Sequence, residues 1–131
     1  MATITKVTPV SIATPAPDAE HSVSGLYAGE ALQAGDACYI KSSDGKVYRS
    51  LAANDARNVV DGYVAGDVSS GDPCTLYYNI RFAYGSGLTP GSFVYLDDTT
   101  AGAINSATST YGTVPVGRVI DAIRIDLVRS Y

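Results

Sequence analysis

The chain has 131 residues, enough for one domain with a modest core, and with 46% apolar and 17% charged residues it is not a disordered polymer. Its net charge is −4 and its 9 Lys and Arg residues are scattered singly, which argues against a nucleic-acid partner. The 13 Gly and 10 Tyr, with no Trp, describe a sparsely charged protein rich in turns and amphipathic rings.

Met1-Ala2-Thr3-Ile4-Thr5-Lys6 lacks the basic region and apolar run of a signal peptide, so synthesis in a cytosol is expected. No stretch has the apolar length of a membrane-spanning helix, and no membrane partner is expected. Residues 1–22 read as an extended N-terminal arm. Thr3 to Ile12 is rich in β-branched residues, Pro9 bars a central strand position, and Pro15 and Pro17 favour an open conformation. Ile4, Val7, Val10 and Ile12 are too apolar for a solvated tail and predict a docking surface.

A compact β domain is predicted over residues 23–131. Its strands are expected at 23–28, 36–41, 46–50, 58–66, 73–79, 80–84, 92–97 and 114–128, the last split near Asp121. Ser43-Asp44-Gly45 predicts a hairpin turn, and Leu51 to Arg57 has room for one helical turn. Ile123-Arg124-Ile125-Asp126-Leu127 alternates cleanly, with three aliphatics inward and Arg and Asp outward. The fold class is all-β, a small barrel or sandwich with two related halves.

The two halves come from an echo. Leu32-Gln33-Ala34-Gly35-Asp36-Ala37-Cys38-Tyr39-Ile40 and Leu88-Thr89-Pro90-Gly91-Ser92-Phe93-Val94-Tyr95-Leu96 share one frame, 56 positions apart. Cys38 and Ile40 match Val94 and Leu96 as core-facing residues, leaving Tyr39 and Tyr95 on the opposite face. Val60-Asp61-Gly62-Tyr63-Val64 is echoed by Val116-Gly117-Arg118-Val119, and Gly71-Asp72-Pro73-Cys74 repeats part of the first turn. Internal duplication and independent reuse of turn-plus-strand chemistry both account for this pattern. Cys38 and Cys74 stand where the echo has aliphatics and read as small buried hydrophobes.

No catalytic, metal or cofactor site is expected. His21 is the single histidine and sits on the arm, a poor place for a rigidly held base. Asp97-Asp98-Thr99-Thr100 lacks the spacing of a calcium loop. Gly85 to Gly91 opens into a strand with no Lys following it, unlike a phosphate loop. The chain reads as a non-enzyme. Tyr27, Tyr39, Tyr63, Tyr77, Tyr78, Tyr84 and Tyr95 lie in or beside strands, more than a domain of this size easily buries. Low charge with surface tyrosine predicts association with other protein.

From Gly87 to Gly102, joined to Val114-Pro115-Val116-Gly117-Arg118-Val119, the sequence resembles bacteriophage capsid decoration (cement) proteins. Their Leu-x-x-Gly-[Asp/Ser]-x-Val-Tyr turn, Gly-rich hairpin and Pro-Val-Gly strand have counterparts here, and coverage runs over roughly residues 30–128. Ser92 stands where Asp is common, and Cys38 and Cys74 where aliphatics are usual. The resemblance implies a virion protein on the outside of an expanded head, bridging capsomers and stabilising the shell. Its implied partners are the major capsid protein and itself, as a homotrimer. The arm would then reach onto the shell or a neighbour, and removing residues 1–22 would weaken shell binding while leaving the fold intact. On this reading Ile4, Val7, Val10, Ile12, Tyr27, Tyr39, Tyr77, Tyr84 and Tyr95 contact the capsid or a sister subunit. The alternative is a head- or tail-fibre module that binds a host-surface glycan, for which tyrosine faces also suit.

Overall fold

Short alternating segments ended by turn glycines give this chain strands of two to six residues. The computed structural model describes residues 3–13 and 21–131. In chain order the strands are β1 (Ser11–Ile12), β2 (Ser22–Tyr27), β3 (Ala37–Ile40), β4 (Val47–Arg49), β5 (Gly62–Tyr63) and β6 (Pro73–Tyr77). They continue with β7 (Ile80–Ala83), β8 (Phe93–Leu96), β9 (Ile104–Asn105), β10 (Pro115–Val119) and β11 (Arg124–Leu127). Two antiparallel sheets result, ordered β2-β6-β5-β3-β4 and β1-β7-β11-β10-β8-β9. The fold is all-β and of the sandwich kind, not a closed barrel.

The sheet orders resolve the echo. Advancing each strand number of the first sheet by five reproduces the second, apart from the added β1. The register agrees: Cys38 pairs with Gly62, and Val94, its counterpart, pairs with Gly117. The two glycines serve one purpose. A Cβ on Gly62 would lie 2.8 Å from Leu76 Cβ, and one on Gly117 2.6 Å from the Asp126 carbonyl, so the next strand can approach only where there is no side chain. Gly35 and Gly91 are likewise equivalent, each turning the chain into β3 or β8 with φ of +84° and +83°. Residues 22–77 and 80–127 are two halves built to one plan.

Each half has an interior. Ala28, Leu32, Cys38, Val47, Val64, Cys74 and Leu76 fill the first; both thiols are free and buried, as their strand positions predict. Phe82, Val94, Leu96, Ile104, Val116, Ile125 and Leu127 fill the second, which also takes in Ala37, Val60 and Tyr63 from the first half. Tyr63 is wholly buried, stacks obliquely on Phe82 with 6.0 Å between centroids, and places its hydroxyl 3.0 Å from the carbonyls of Val116 and Val128. The first sheet is therefore buried on both faces around Ala37, Cys38 and Gly62–Tyr63. The outer face of the second sheet is not.

The N-terminal segment departs from the expected arm. Residues 3–13 form a strap across the second half. Thr3 bridges Asn105 at the β9 edge, the Ile4 amide donates to the Ile104 carbonyl, and the Val7 amide to that of Tyr84. Ser11 and Ile12 then pair with Ala83 and Phe82 at the β7 edge. Val10 is 2% exposed, and Ile4, Val7 and Ile12 pack on the same core. The apolar side chains need a surface to dock on, and that surface is the chain's own second half. The division at residue 22 into arm and compact domain thus fails for residues 3–13, while residues 14–20, with Pro15 and Pro17, lie outside the described residues.

Smaller differences have local causes. Residues 58–66 pair only at Gly62–Tyr63, because the flanking Val60 amide bonds Ser130 Oγ and the Val64 carbonyl accepts from Gly35. Leu51 to Arg57 is a run of turns rather than a helical turn, with Asn54 Oδ1 accepting from the Ala56 amide. Ile123 is 51% exposed because it belongs to the turn before β11, and Ile40 is exposed at the end of β3.

Candidate interaction surface

Alternation in β7 puts Ile80, Phe82 and, beyond the strand, Tyr84 on one side, and all three are buried. Tyr84 has no exposed surface and Val10 almost none, so neither can meet a partner while the chain is folded. Tyr39, at 9%, is covered beside Tyr48, with ring centroids 6.2 Å apart, on the sheet face turned toward the second half. Tyr77 is half-buried opposite Tyr63. Ile4, Val7 and Ile12 are spent on the strap. Of the nine predicted contact residues, the structure leaves Tyr27, 54% exposed at the end of β2, and the half-buried Tyr95 in β8.

Around Tyr95 the outer face of the second sheet carries a row that sequence reasoning did not single out. Phe93 lies opposite Arg118, Arg118 opposite Asp126, and Asp126 opposite Arg81. Phe93 is 51% exposed, with the Arg118 guanidinium 5.6 Å from its ring centroid. Arg81 Nε donates to Asp126 Oδ1 at 2.7 Å, holding the far end of the row. Tyr95 faces Pro115 one step along β8. The signal for Phe93 was present, since Val94 and Leu96 face the core and their neighbours must face out. Aromatic and arginine side chains on an open sheet supply contact area, cation–π attraction and fixed donors, which suit a protein partner.

No protein-family model and no curated protein matches the chain. Function must be read from this geometry.

The polar clusters of the molecule hold its own backbone. A cleft of about 860 Å³ runs beside the strap, but its charged residues are engaged. Lys6 Nζ sits 2.5 Å from Asp36 Oδ1, Asp67 accepts from the Ala34 amide, and Arg49 pairs with Glu30. Among the described residues no three His, Cys, Asp or Glu side chains are placed to hold a metal ion. Also among them, no helix is long and apolar enough to cross a membrane. His21 stands next to Tyr78, with 6.4 Å between ring centroids.

Asp97 fixes the strap at its other end. It is fully buried and accepts from Thr3 Oγ1 and Asn105 Nδ2 at 2.8 Å, from Thr99 Oγ1 at 3.0 Å and from the Thr100 amide at 2.7 Å. Burial alone would raise its pKa; the donors Asn105, Thr100, Thr3 and Thr99 outweigh burial and hold it below the usual carboxylate range. Its contribution to stability is present above the unfolded carboxylate pKa of about 3.9 and is lost as pH falls through the lower folded value. At the other extreme, burial pushes Cys38, Tyr63 and Tyr84 up. Their contribution is complete below unfolded pKa values of about 8.5 for Cys and about 10 for Tyr, and is lost as pH rises beyond them. Melting temperature should therefore plateau between about pH 5 and pH 8 and fall on both sides. Asp97→Asn should flatten the acid limb and leave the alkaline limb in place.

Proposed function

We propose that this chain is a capsid decoration protein that binds the outer surface of an expanded phage head and bridges neighbouring capsomers. The observation that carries the reading is the open outer face of the second sheet. Phe93 and Arg118 are exposed there beside the half-buried Tyr95, while Ala37 and Tyr63, the counterparts of Phe93 and Arg118 in the first half, are buried inside the molecule. The resemblance over residues 30–128 supports the same reading, and its most specific stretch, Gly87 to Gly102 with Val114 to Val119, contains this face.

The physics suits a clamp. A ligand that binds the assembled lattice better than free subunits stabilises the lattice by mass action. Several copies joined on the lattice raise the effective concentration of each contact, so individual sites can be weak. The strap has a different role from the one the resemblance implied: it completes the second half and so sets the shape of the face that binds.

The test is shell binding by a surface variant. Phe93→Ser combined with Arg118→Glu changes two exposed positions and should leave the melting temperature nearly unchanged. Occupancy on expanded heads, followed by co-sedimentation, should fall by about tenfold or more. Unchanged occupancy would move the contact elsewhere. Retained affinity for a host glycan by the isolated chain, with no binding to heads, would favour the fibre-module reading.

A further inference from the structure

Three arginines stand on the outer face of the second sheet, and two of them are neutralised within the chain. Arg81 Nε lies 2.7 Å from Asp126 Oδ1, and an Arg124 Nη lies 2.7 Å from Asp121 Oδ2. Arg118 has no carboxylate partner among the described residues. Asp126 is its cross-strand neighbour but turns both oxygens to Arg81, at 2.7 and 3.4 Å. Three Arg against two Asp leave these five side chains with one positive charge, on a chain whose net charge is −4.

The Arg118 guanidinium is exposed yet held. Its Nε donates to the Gly91 carbonyl at 3.4 Å, and its central carbon stands 5.6 Å from the centroid of the Phe93 ring. With Nε turned to the protein, the two Nη groups have no acceptor among the described residues. A planar fork in that state takes a carboxylate through two parallel hydrogen bonds. The surface around the fork is apolar. Phe93 is 51% exposed, and one step along the ladder the half-buried Tyr95 faces the exposed Pro115. Phe93 and Tyr95 are two positions apart on β8, a spacing of about 6–7 Å. Any extended segment repeats that spacing along one face, so it can set one side chain at Arg118 and the next over Tyr95 and Pro115.

We infer that the segment this face takes from its partner is extended and acidic: the Arg118 Nη groups bind an Asp or Glu carboxylate, and an aliphatic or proline side chain two positions along covers Tyr95 and Pro115. The inference rests on the decoration reading, in which the segment belongs to the outside of the shell protein. The Phe93 ring shields one side of the charge pair from water and so strengthens it.

Amidation of expanded heads tests it. Carbodiimide with ethanolamine turns exposed carboxylates into neutral amides, and co-sedimentation then measures occupancy by the full chain on treated and untreated heads. Treatment should lower the affinity of the native chain by about tenfold, and Arg118→Gln should lower it by about as much on untreated heads. The losses should not add, so Arg118→Gln should lose little further on treated heads. Arg118→Lys keeps the charge without the fork and should fall between the native chain and Arg118→Gln. On untreated heads the native affinity should also fall more steeply with added salt than that of Arg118→Gln. Equal salt slopes, additive losses, or a native chain indifferent to amidation would overturn the inference and leave the shell-binding reading in place. A native chain that does not bind untreated heads would remove both.

Discussion

Tyr63→Ala is expected to abolish the cooperative fold of the whole chain, and Tyr63→Phe to weaken it without abolishing it. The ring is fully buried against Phe82 in the core that joins the halves. Truncating a buried aromatic costs about 3–5 kcal/mol, a large share of the 5–15 kcal/mol that holds a typical domain. The hydroxyl adds a second loss. Its single proton serves the Val116 and Val128 carbonyls; Val116 keeps the Val128 amide as a donor, whereas Val128 loses its side-chain partner. Tyr63→Phe removes only this and should cost about 1–3 kcal/mol. Thermal unfolding should therefore show a melting temperature lowered by roughly 5–10 °C for Phe and no cooperative transition for Ala. Two separate transitions for Tyr63→Ala would mean that the halves fold independently, contrary to their shared core.

Removing residues 1–13 should come close to unfolding the second half. Burial of Val10 contributes about 1.5–3 kcal/mol, and the partial burial of Ile4, Val7 and Ile12 brings the total to on the order of 4–7 kcal/mol. The strap also satisfies backbone groups of Ile104 and Tyr84 and covers the β7 edge. Without it that edge is open and the core beneath is wet, so aggregation and dye binding should rise as the melting temperature falls. This reverses the expectation attached to a free arm, for which truncation leaves the fold intact and weakens only shell binding. A truncated chain with unchanged stability would restore the arm and remove the strap from the account.

Much of the fold was legible because it rests on local chemistry. Ser43-Asp44-Gly45 turns where expected: Gly45 has φ +71°, and Asp44 Oδ1 accepts from the Lys46 amide at 2.9 Å. The echo from Leu32 to Ile40 and from Leu88 to Leu96 was legible for the same reason, and the equivalent sheet orders give it structural meaning. What the residues could not reveal was which surface met which. Ile4, Val7, Val10 and Ile12 announced that they would be covered, yet a docking segment looks the same in sequence whether its surface is a neighbour or its own chain. Tyr39 and Tyr95 occupy one position of the echo, and only the packing of the halves covers the first and leaves the second near the open face. Tyr84 was readable after all, since it continues the buried parity of Ile80 and Phe82. The candidate surface followed the same logic. Phe93 was implied by alternation, but its partnership with Arg118 needed the register of β8 against β10, which a bulge near Pro115 shifts.

The central claim is that this chain coats a phage shell, and its most direct test is the number of copies per particle. On this proposal, virions purified from the source of the chain and analysed by quantitative mass spectrometry should contain it at a stoichiometry comparable with that of the major shell protein. They should lose it together with shell stability when the Phe93 and Arg118 variant replaces the native chain. A few copies per particle, or none, would contradict the account and leave only the two-half β fold standing.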